Sequence, residues 1–418
     1  APSSNNQLFQ GIEIGTGTTG SALTGADSRF FAEAGLIDIA GGPMLFGAGT
    51  RRTIYRMQSQ PTQYEDIDLP GFSSIELASR GDIRFDDGGI VAERELIFTA
   101  DRLYPTTHKA GLIRVGVGPN GMNGEPNEGA VLRLRRPGAG AVEAPHSLFG
   151  RLIVNAPIIE QGGAVLAPLG SIEFSDDADT RGTPFSASTP NYLRNHDRAE
   201  LSLLPGSITS VSAAGVELPY GHTIDGIDYL YDGEKVRYDY VGGLNTDQND
   251  RTSGGIVFKA TRFTAEDGAV IDVSGGGVLR GVGFRPGRGG SVDILNTALG
   301  DGNPYNGSSA GHEVYAIVPG YAGGHAPVDP TLESPAIGRQ ITIGEGVPGL
   351  AAGTYTLLPA QYALMHGGYR VELGASMQRG AGPRTAWKDV NGVMRTTARV
   401  GTVNTGVAGA VPRAITLM

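Results

Sequence analysis

Short apolar segments recur in this chain at a step of about 20 residues, which lies in the range of repeat proteins. The step separates SIEL at 74 from ELIF at 95, RLIV at 151 from SIEF at 171, and GAVIDVS at 268 from GGSVDIL at 289. Within each segment apolar and polar residues alternate, which is the pattern of a half-buried β-strand. A fixed step of this size, with short strands and tight turns in each repeat, predicts a solenoid in which every repeat packs only against its neighbours.

The predicted fold is therefore all-β, a right-handed parallel β-helix (solenoid) with loop or hairpin insertions. Glycine supports this prediction, since 66 of 418 residues are glycine, against a usual share of about 7%. Glycine adopts the positive φ of sharp corners without steric cost and disfavours long helices. A sandwich or barrel is the competing architecture and would favour hairpin turns such as Asn-Gly. Asn-Gly begins at 120, 123, 306 and 391, where we expect hairpins that leave the solenoid.

The periodicity divides the chain into three parts. Residues 1–64 are predicted to be N-terminal β-helix coils or the start of a fragment, and residues 65–375 to be the main β-helix. Insertions near 175–198 and 219–251 interrupt the period with polar, charged and aromatic residues, and such loops often carry function. Residues 376–418 are weakly periodic and are predicted to be a C-terminal segment or cap.

Charge and missing residue types exclude several classes of function. Lys and Arg number 33 and Asp and Glu 43, for a net charge of −10; we predict no nucleic-acid partner, because phosphate contacts need clustered cations. The chain has no cysteine, which removes disulfides, thiolate metal sites and cysteine nucleophiles.

No apolar stretch approaches ~18 residues, so no transmembrane segment is expected. The opening APSSNNQLFQGIEIG lacks the features of a signal peptide, and we expect a processed chain or part of a longer one.

Several phrases of the sequence resemble the coils of filamentous haemagglutinin-like large exoproteins. They are LIVNAPIIEQGGAVLAPLGSIEF (152–174), AELSLLPGSITSVSAAGVELPYG (199–221), the stretch from GIVFKATRF to GGSVDIL (255–295), and the stretch from YAIVPGYAGG to YRVELG (315–374). The resemblance covers roughly residues 65–375, and the ordered run of phrases is more specific than any single one.

The resemblance implies a right-handed β-helix from a Gram-negative bacterium, secreted or held at the cell surface. It implies export by two-partner secretion, with the outer-membrane translocator as a partner, and then a role in adhesion, biofilm or surface-fibre formation. Glycans and host or neighbouring cell surfaces are the expected partners, with self-association into fibres. The family's N-terminal secretion domain, marked by Asn-Pro-Asn-Gly, is absent; GPNGM at 118–122 is a partial match at the wrong place. We therefore expect an interior or C-terminal portion of a longer exoprotein.

Two groups of residues are candidates for a binding surface. Arg80-Gly81-Asp82 could present a charge pair to an adhesion receptor, although a solenoid also needs a corner there. Five tyrosines near the second insertion could stack on sugar rings beside carboxylates, or could instead pack the insertion onto the solenoid. These tyrosines are Tyr220, Tyr229, Tyr231, Tyr238 and Tyr240.

No catalytic, cofactor-binding or metal-binding residue is predicted, and the expected protein is not an enzyme. The alternative is a glycan-active β-helix enzyme, a polysaccharide lyase or hydrolase, for which paired carboxylates would supply acid and base. The densest acidic cluster is Asp176, Asp177 and Asp179, with Asp197 nearby in sequence. The seven histidines form no HxH or HExxH arrangement, so zinc has no local support. A toxin-delivery stalk is a third hypothesis.

Overall fold

The structure, a computed structural model, describes most of the chain. The described residues are 28–46, 51–56, 63–68, 72–116, 126–175, 184–185, 199–224, 228–239, 243–246, 254–281, 293, 295, 297, 313–377, 385–388, 394–403 and 412–417. Almost all of their regular structure is β-strand, and one 3₁₀ turn lies at Ala360–Leu364. The all-β class predicted from the sequence is therefore confirmed.

The first sixteen strands are β1 (Arg29–Ala34), β2 (Ile37–Phe46), β3 (Arg51–Arg56), β4 (Gln63–Asp68), β5 (Ser74–Ser79), β6 (Asp82–Ala92), β7 (Glu95–Thr99), β8 (Arg102–Pro105), β9 (Ala110–Val115), β10 (Val131–Arg135), β11 (Arg151–Asn155), β12 (Ile158–Gly162), β13 (Ala164–Leu166), β14 (Ser171–Ser175), β15 (Glu200–Leu203) and β16 (Ile208–Ser210).

The remaining strands are β17 (Glu217–Pro219), β18 (His222–Ile224), β19 (Asp228–Tyr231), β20 (Glu234–Asp239), β21 (Gly243–Thr246), β22 (Gly255–Lys259), β23 (Arg262–Ala265), β24 (Val270–Asp272), β25 (Val278–Arg280), β26 (Glu313–Ile317), β27 (Arg339–Ile343), β28 (Gly353–Thr356), β29 (Tyr369–Met377), β30 (Trp387–Lys388), β31 (Met394–Thr402) and β32 (Pro412–Leu417).

Two parallel sheets build the first two thirds of the molecule. The seven-stranded sheet has the order β1-β5-β7-β10-β12-β15-β23. The ten-stranded sheet divides at the long strand β6, whose first half pairs with β8 and whose second half pairs with β9. We call the β6-β8-β13-β16-β24 side the first arm and the β6-β9-β11-β14-β22 side the second arm. The chain visits the seven-stranded sheet and then the arms in turn, and one such circuit is called a coil.

The repeat step of the sequence corresponds to the pairing between coils. Ser74 lies opposite Glu95 in the parallel register, and Arg151 lies opposite Ser171. The first two steps of the sequence pattern therefore each bring equivalent residues of successive coils side by side. The third step, from 268 to 289, ends outside the described residues.

Apolar side chains at equivalent positions form columns that run through the coils. One column contains five residues in direct register, each no more than 1% exposed: Ile75, Leu96, Leu132, Ile159 and Leu201. Burial of each such side chain stabilises the fold by about 1.5–3 kcal/mol. This column, with those of the arms, makes one continuous core between the parallel sheets.

In the second arm, non-glycine residues with positive φ mark the corners that precede the second half of β6 and strands β9, β11 and β14. Asp87, His108, Phe149 and Leu169 have φ of 52°, 58°, 58° and 54°. This region is unusual for residues with a side chain. The backbone N–H groups of the last three donate to carbonyl groups of the following coil at 2.8–3.0 Å. These hydrogen bonds hold the strained corners in one stack.

One coil lacks its strand in the first arm. Between β10 and β11 the chain runs through residues 136–150 without a strand, and β13 pairs directly with β8, where Val165 lies opposite Leu103. We call residues 136–150 the outer loop. The regular stack is thus interrupted at this place by a segment that leaves the sheet.

The predicted insertion at 219–251 also leaves the parallel stack. β18, β19, β20 and β21 form a four-stranded antiparallel sheet. The predicted insertion at 175–198 lies mostly outside the described residues.

The strands in the last third of the chain pair with one another and not with the parallel sheets. β26, β29, β32, β31, β27 and β28 form an antiparallel sheet with β30 at its side, and its core contains Ile317, Ile341, Leu357 and Val371. The predicted boundary at residue 375 falls inside β29, so residues on both sides of it belong to this one sheet.

Candidate functional site

The outward surface of the first arm carries charged residues in lateral pairs. Ile83 and Leu103 point into the core, so their neighbours in the alternating pattern point outward. Arg84 lies opposite Asp38 of β2 and binds it with two hydrogen bonds of 2.6 and 2.7 Å. Arg102 of β8 lies opposite Asp82 of the previous coil and binds it at 2.8 and 2.7 Å.

Each arginine on this surface stays charged because its carboxylate partner is held so closely. Burial alone would lower the pKa of Arg84, but the hydrogen bonds and charge of Asp38 outweigh it and raise that pKa. The same balance, with Asp82 as partner, raises the pKa of Arg102. Tyr104 donates its hydroxyl to Asp82 at 3.0 Å, and burial raises its pKa. The surface therefore combines neutralised ion pairs with a protonated tyrosine.

The outer loop returns to this surface at the end of β8. The Ser147 hydroxyl donates to the Pro105 carbonyl at 2.7 Å, and Arg102 Nη1 lies 3.3 Å from the Glu143 carbonyl oxygen. These contacts hold residues 143–147 above the place where the missing strand would have paired.

A second segment, from the C-terminal third, covers the same surface. Arg84 Nη1 donates to the Ala326 carbonyl at 2.8 Å, and the Tyr321 hydroxyl donates to the His325 carbonyl at 2.6 Å. Burial and then the charge of Arg84 lower the pKa of His325. We call residues 318–336, which contain these contacts, the covering segment. Hydrogen bonds from several elements attach it, rather than strand pairing: besides that of Arg84, Thr107 N–H donates to the Val328 carbonyl at 3.4 Å.

A cavity of about 60 Å³ lies between β8, the outer loop and the covering segment. We call it the β8 cavity. Its lining residues are Arg102, Tyr104, Glu143, Ala144, His146, Gly320, Tyr321, Ala322, Gly323 and Pro327. The cavity is thus formed by three segments that are far apart in sequence.

His146 is the least satisfied polar side chain of this cavity. Its ring stacks on Tyr362 at 5.9 Å between centroids and meets the edge of Tyr321 at 5.1 Å. Its Nδ1 is buried and makes no hydrogen bond to the described residues. Burial and then the charge of Arg102 lower its pKa to about 4. At neutral pH the imidazole is therefore uncharged and can both donate and accept a hydrogen bond.

The arrangement suits binding by hydrogen bonds and packing. Arg102, Glu143 and His146 are polar residues of the lining, and Arg102 carries guanidinium donors. Among the described residues, no group of three or more His, Asp or Glu side chains could hold a metal ion.

The predicted receptor motif lies at the corner before β6. The Arg80 side chain is 69% exposed and forms an ion pair with Glu33 at 3.2 Å. The Asp82 carboxylate is only 15% exposed and accepts from both Arg102 and Tyr104. Binding of a receptor through Asp82 would therefore require these hydrogen bonds to break.

Three of the five predicted tyrosines lie together, and their rings pack on one another. Tyr220 and Tyr231 are 1% and 7% exposed, with their ring centroids 4.5 Å apart. The Tyr229 hydroxyl donates to the Tyr220 carbonyl. His108 Nε2 and the Tyr220 hydroxyl share a hydrogen bond of 2.6 Å, and Tyr231 donates to Asp329 at 2.9 Å. This cluster joins the antiparallel insertion to the corner stack and to the covering segment.

The other predicted candidates are only partly described. Tyr238 belongs to β20, where it lies opposite Leu244, and Tyr240 is outside the described residues. The acidic group of Asp176, Asp177, Asp179 and Asp197 is outside them as well.

Sequence reasoning did not single out the β8 cavity. His146 and Tyr321 lie in segments without strand periodicity and 175 positions apart. The available signal was the interrupted period between RLRR at 133–136 and RLIV at 151, which marks the outer loop but not its partner.

Comparisons with protein-family models, curated proteins and solved structures give no match for this chain. The described part of the chain also contains no helix with the length and apolarity needed to cross a membrane.

Proposed function

We propose that this chain is a right-handed β-helical portion of a filamentous haemagglutinin-like exoprotein, exported by a two-partner secretion translocator. It would act without catalysis at the surface of a Gram-negative bacterium, in adhesion, biofilm or surface-fibre formation. The parallel pairing of successive coils at the repeat step of the sequence supports this proposal, as does the resemblance of its coil sequences to that family.

Exposed apolar residues at the two ends of the described parallel stack carry the fibre proposal. Among the described residues, eleven large apolar side chains are exposed, and eight of them lie in the first coil (29–46) or the last (255–280). The eight are Phe31, Met44, Val257, Phe263, Val270, Ile271, Val273 and Val278.

The core columns reach the last described coil, where their members become exposed. Leu201, which is 1% exposed, lies opposite Phe263, which is 44% exposed. Thr209 of β16, fully buried, lies opposite Ile271 of β24, also 44% exposed. Among the described residues, no strand pairs with β23 or β24 on the side away from β15 and β16. Such an edge offers both backbone hydrogen-bonding groups and apolar surface to another strand.

A second copy of this chain is the partner that fits this edge. β1 and β23 are the opposite outer strands of one parallel sheet, so the first coil of one copy can extend the last coil of another. Such a contact joins two different surfaces, and a head-to-tail contact that does not close produces a filament. The expected fibre therefore grows along the stacking direction.

The experiment measures assembly of the full chain by sedimentation across a concentration series and by electron microscopy. We expect filaments of constant width, and we expect Val270→Lys to abolish them by placing an unpaired charge at the contact. The matched control is Ile337→Lys, since Ile337 is 68% exposed outside the parallel stack. Monomers at every concentration, or equal assembly by both variants, would overturn the fibre proposal.

A further inference from the structure

We propose that acid opens the covering segment from the first arm, and that the side chains of His146 and His325 sense the proton. The open state is local: the parallel stack stays folded, and the ion pairs on its outward surface meet water. This inference goes beyond the proposed function and depends on neither adhesion nor fibre assembly.

The covering segment is attached in a way that permits local opening. In the described part of the chain, no strand of the parallel sheets pairs with it. The Arg84 side chain and the Thr107 N–H each donate to one of its carbonyl groups, at 2.8 and 3.4 Å. Segments with few such contacts open at a lower free energy than the core does. Four of its apolar side chains are only partly buried against their neighbours: Val318, Tyr321, Ala326 and Leu332.

His146, on the outer loop, lies against this segment. Its ring meets the edge of Tyr321 at 5.1 Å between centroids and stacks on Tyr362 at 5.9 Å. Its Nδ1 is buried and makes no hydrogen bond to the described residues. An imidazolium carries a proton on both nitrogens, so protonation in the closed state would place a charged donor at Nδ1 without an acceptor. An unpaired charged group costs more than an unpaired neutral one.

The charges around His146 oppose a second positive charge. Arg102 is held in place by its two hydrogen bonds to Asp82. Burial, and then the charge of Arg102, lower the pKa of His146 to about 4. The further carboxylate that lines the β8 cavity is that of Glu143, which is exposed to solvent. Burial also raises the pKa of three tyrosines of this region, which stay uncharged: Tyr104, Tyr321 and Tyr362.

His325 belongs to the covering segment itself and precedes the carbonyl group that accepts from Arg84. Its own carbonyl accepts from the Tyr321 hydroxyl at 2.6 Å. Burial, and then the charge of Arg84, lower the pKa of His325, while Asp38 and Asp82 act in the opposite sense with smaller effects. Arg84 is bound to Asp38 by two hydrogen bonds, so the cation that acts on this imidazole is also fixed in place.

Both histidines shift the ratio of open to closed molecules in the same direction. Each binds a proton more weakly in the closed state than in the open state, where water reaches it, so acid favours opening. His146 has a pKa of 6.5 when exposed and of about 4 when covered. Its titration alone therefore raises the ratio of open to closed molecules about twentyfold between pH 7 and pH 5. His325 adds to this rise, because its pKa is lowered as well.

Asp329 of the covering segment opposes the histidines. Its carboxylate accepts from the Tyr231 hydroxyl at 2.9 Å, and from the Thr331 N–H and hydroxyl at 2.8 and 2.7 Å. Burial raises its pKa, and the charge of Asp232 in the antiparallel insertion acts in the same sense. The closed state therefore binds this proton more tightly than the open state, and acid favours closure through this residue. We expect a net rise that is smaller than the histidines alone would give.

The test measures amide hydrogen exchange of the full chain at pH 7 and pH 5 by mass spectrometry. Each rate is divided by the rate of an unstructured peptide at the same pH, because exchange itself slows in acid. We expect the protection of residues 318–336 to fall by about fivefold or more at pH 5. The protection of β9 and β11, in the parallel stack, should fall less than about twofold.

Two substitutions and a matched control assign the effect. His146→Phe keeps an aromatic ring at its site, and His325→Gln keeps a polar side chain. The double variant should reduce the effect of pH on residues 318–336 to less than about twofold. His366→Phe changes an exposed residue outside the covering segment and should respond as the unchanged chain does. Circular dichroism at pH 7 shows whether each variant is folded.

A histidine titration followed by NMR needs no folded variant, since the substitutions serve only to assign the resonances. In the unchanged chain the His146 resonance should titrate below pH 5, and that of His325 below the resonance of His366. Histidine resonances that titrate together near pH 6.5 would overturn the proposal.

The exchange measurement has three outcomes that also refute the proposal. Equal protection of residues 318–336 at both pH values would show that acid does not open the segment. Loss of protection throughout the chain would show global unfolding in place of local opening. An unchanged effect of pH in the double variant would assign the proton to another group. Filaments and cell attachment do not enter this test, so its failure leaves the proposed function untouched.

Discussion

The Arg102 guanidinium binds the Asp82 carboxylate of the previous coil through two hydrogen bonds, 2.8 Å from Nε to Oδ1 and 2.7 Å from Nη2 to Oδ2. Both side chains are mostly buried, at 22% and 15% exposed. The pair therefore joins successive coils on their outward surface and also fixes one wall of the β8 cavity. Asp82, the acidic residue of the Arg-Gly-Asp sequence, therefore has a structural role.

Asp82→Asn should destabilise the protein by about 3 kcal/mol, because removal of one partner leaves a mostly buried charge unpaired. Arg80→Ala, next to it, should change the free energy of unfolding by less than about 0.5 kcal/mol, since its ion pair with Glu33 is exposed. Urea denaturation measures both. If Arg80→Ala abolished cell attachment at unchanged stability, the exposed arginine would be a receptor contact.

Acidification should destabilise the protein through His146. Its pKa is lowered from 6.5 to about 4 by burial and then by Arg102. Between these values the unfolded chain binds a proton that the folded chain does not, so the free energy of unfolding falls as pH falls. The loss from this residue reaches about 2 kcal/mol at pH 5. Chemical denaturation at pH 7 and pH 5 measures it.

The control for this pH dependence is a comparison of two histidine variants. His146→Phe should lose less stability between pH 7 and pH 5 than the unchanged chain, by the same amount of about 2 kcal/mol. His366→Phe, at an exposed position, should keep the original dependence. Parallel profiles for all three proteins would show that His146 titrates normally in the folded state.

Close stacking of corners should make Gly170 intolerant of any side chain. A Cβ at Gly170 would overlap the carbonyl oxygen of Gly150 in the neighbouring coil, and that backbone cannot move aside. Gly170→Ala should therefore destabilise by about 2–3 kcal/mol. Gly138→Ala is the matched control, because nothing lies within 4 Å of a Cβ there. Equal unfolding midpoints for both variants would contradict the close packing of the corners.

The part of the fold that could be predicted from sequence is the part built from local repeats. A strand period of two and a regular repeat step are enough to bring Ser74 beside Glu95 and Arg151 beside Ser171. Each coil needs only the pattern of its neighbour to form, so equivalent residues meet without any knowledge of the rest of the chain.

The β8 cavity and the antiparallel C-terminal sheet depend on contacts that have no such local signal. Arg84 and Ala326 are 242 positions apart and meet through a single hydrogen bond. A loop that leaves the repeat can be detected by its broken period, but the segment that will cover it cannot. The tyrosines show the same limit, because the sequence does not distinguish an exposed ring from Tyr220, which is buried against His108.

The Tyr231 hydroxyl should stabilise the contact between the antiparallel insertion and the covering segment. Its hydroxyl donates to Asp329 of the covering segment at 2.9 Å, and hydrogen bonds to charged groups contribute about 1.5–3 kcal/mol. Tyr231→Phe should therefore destabilise by about 1.5 kcal/mol, and a double-mutant cycle with Asp329→Asn should show coupling of similar size. Denaturation curves of the two single variants and of the double variant measure both quantities. Unchanged stability of Tyr231→Phe would contradict a structural role for this hydroxyl.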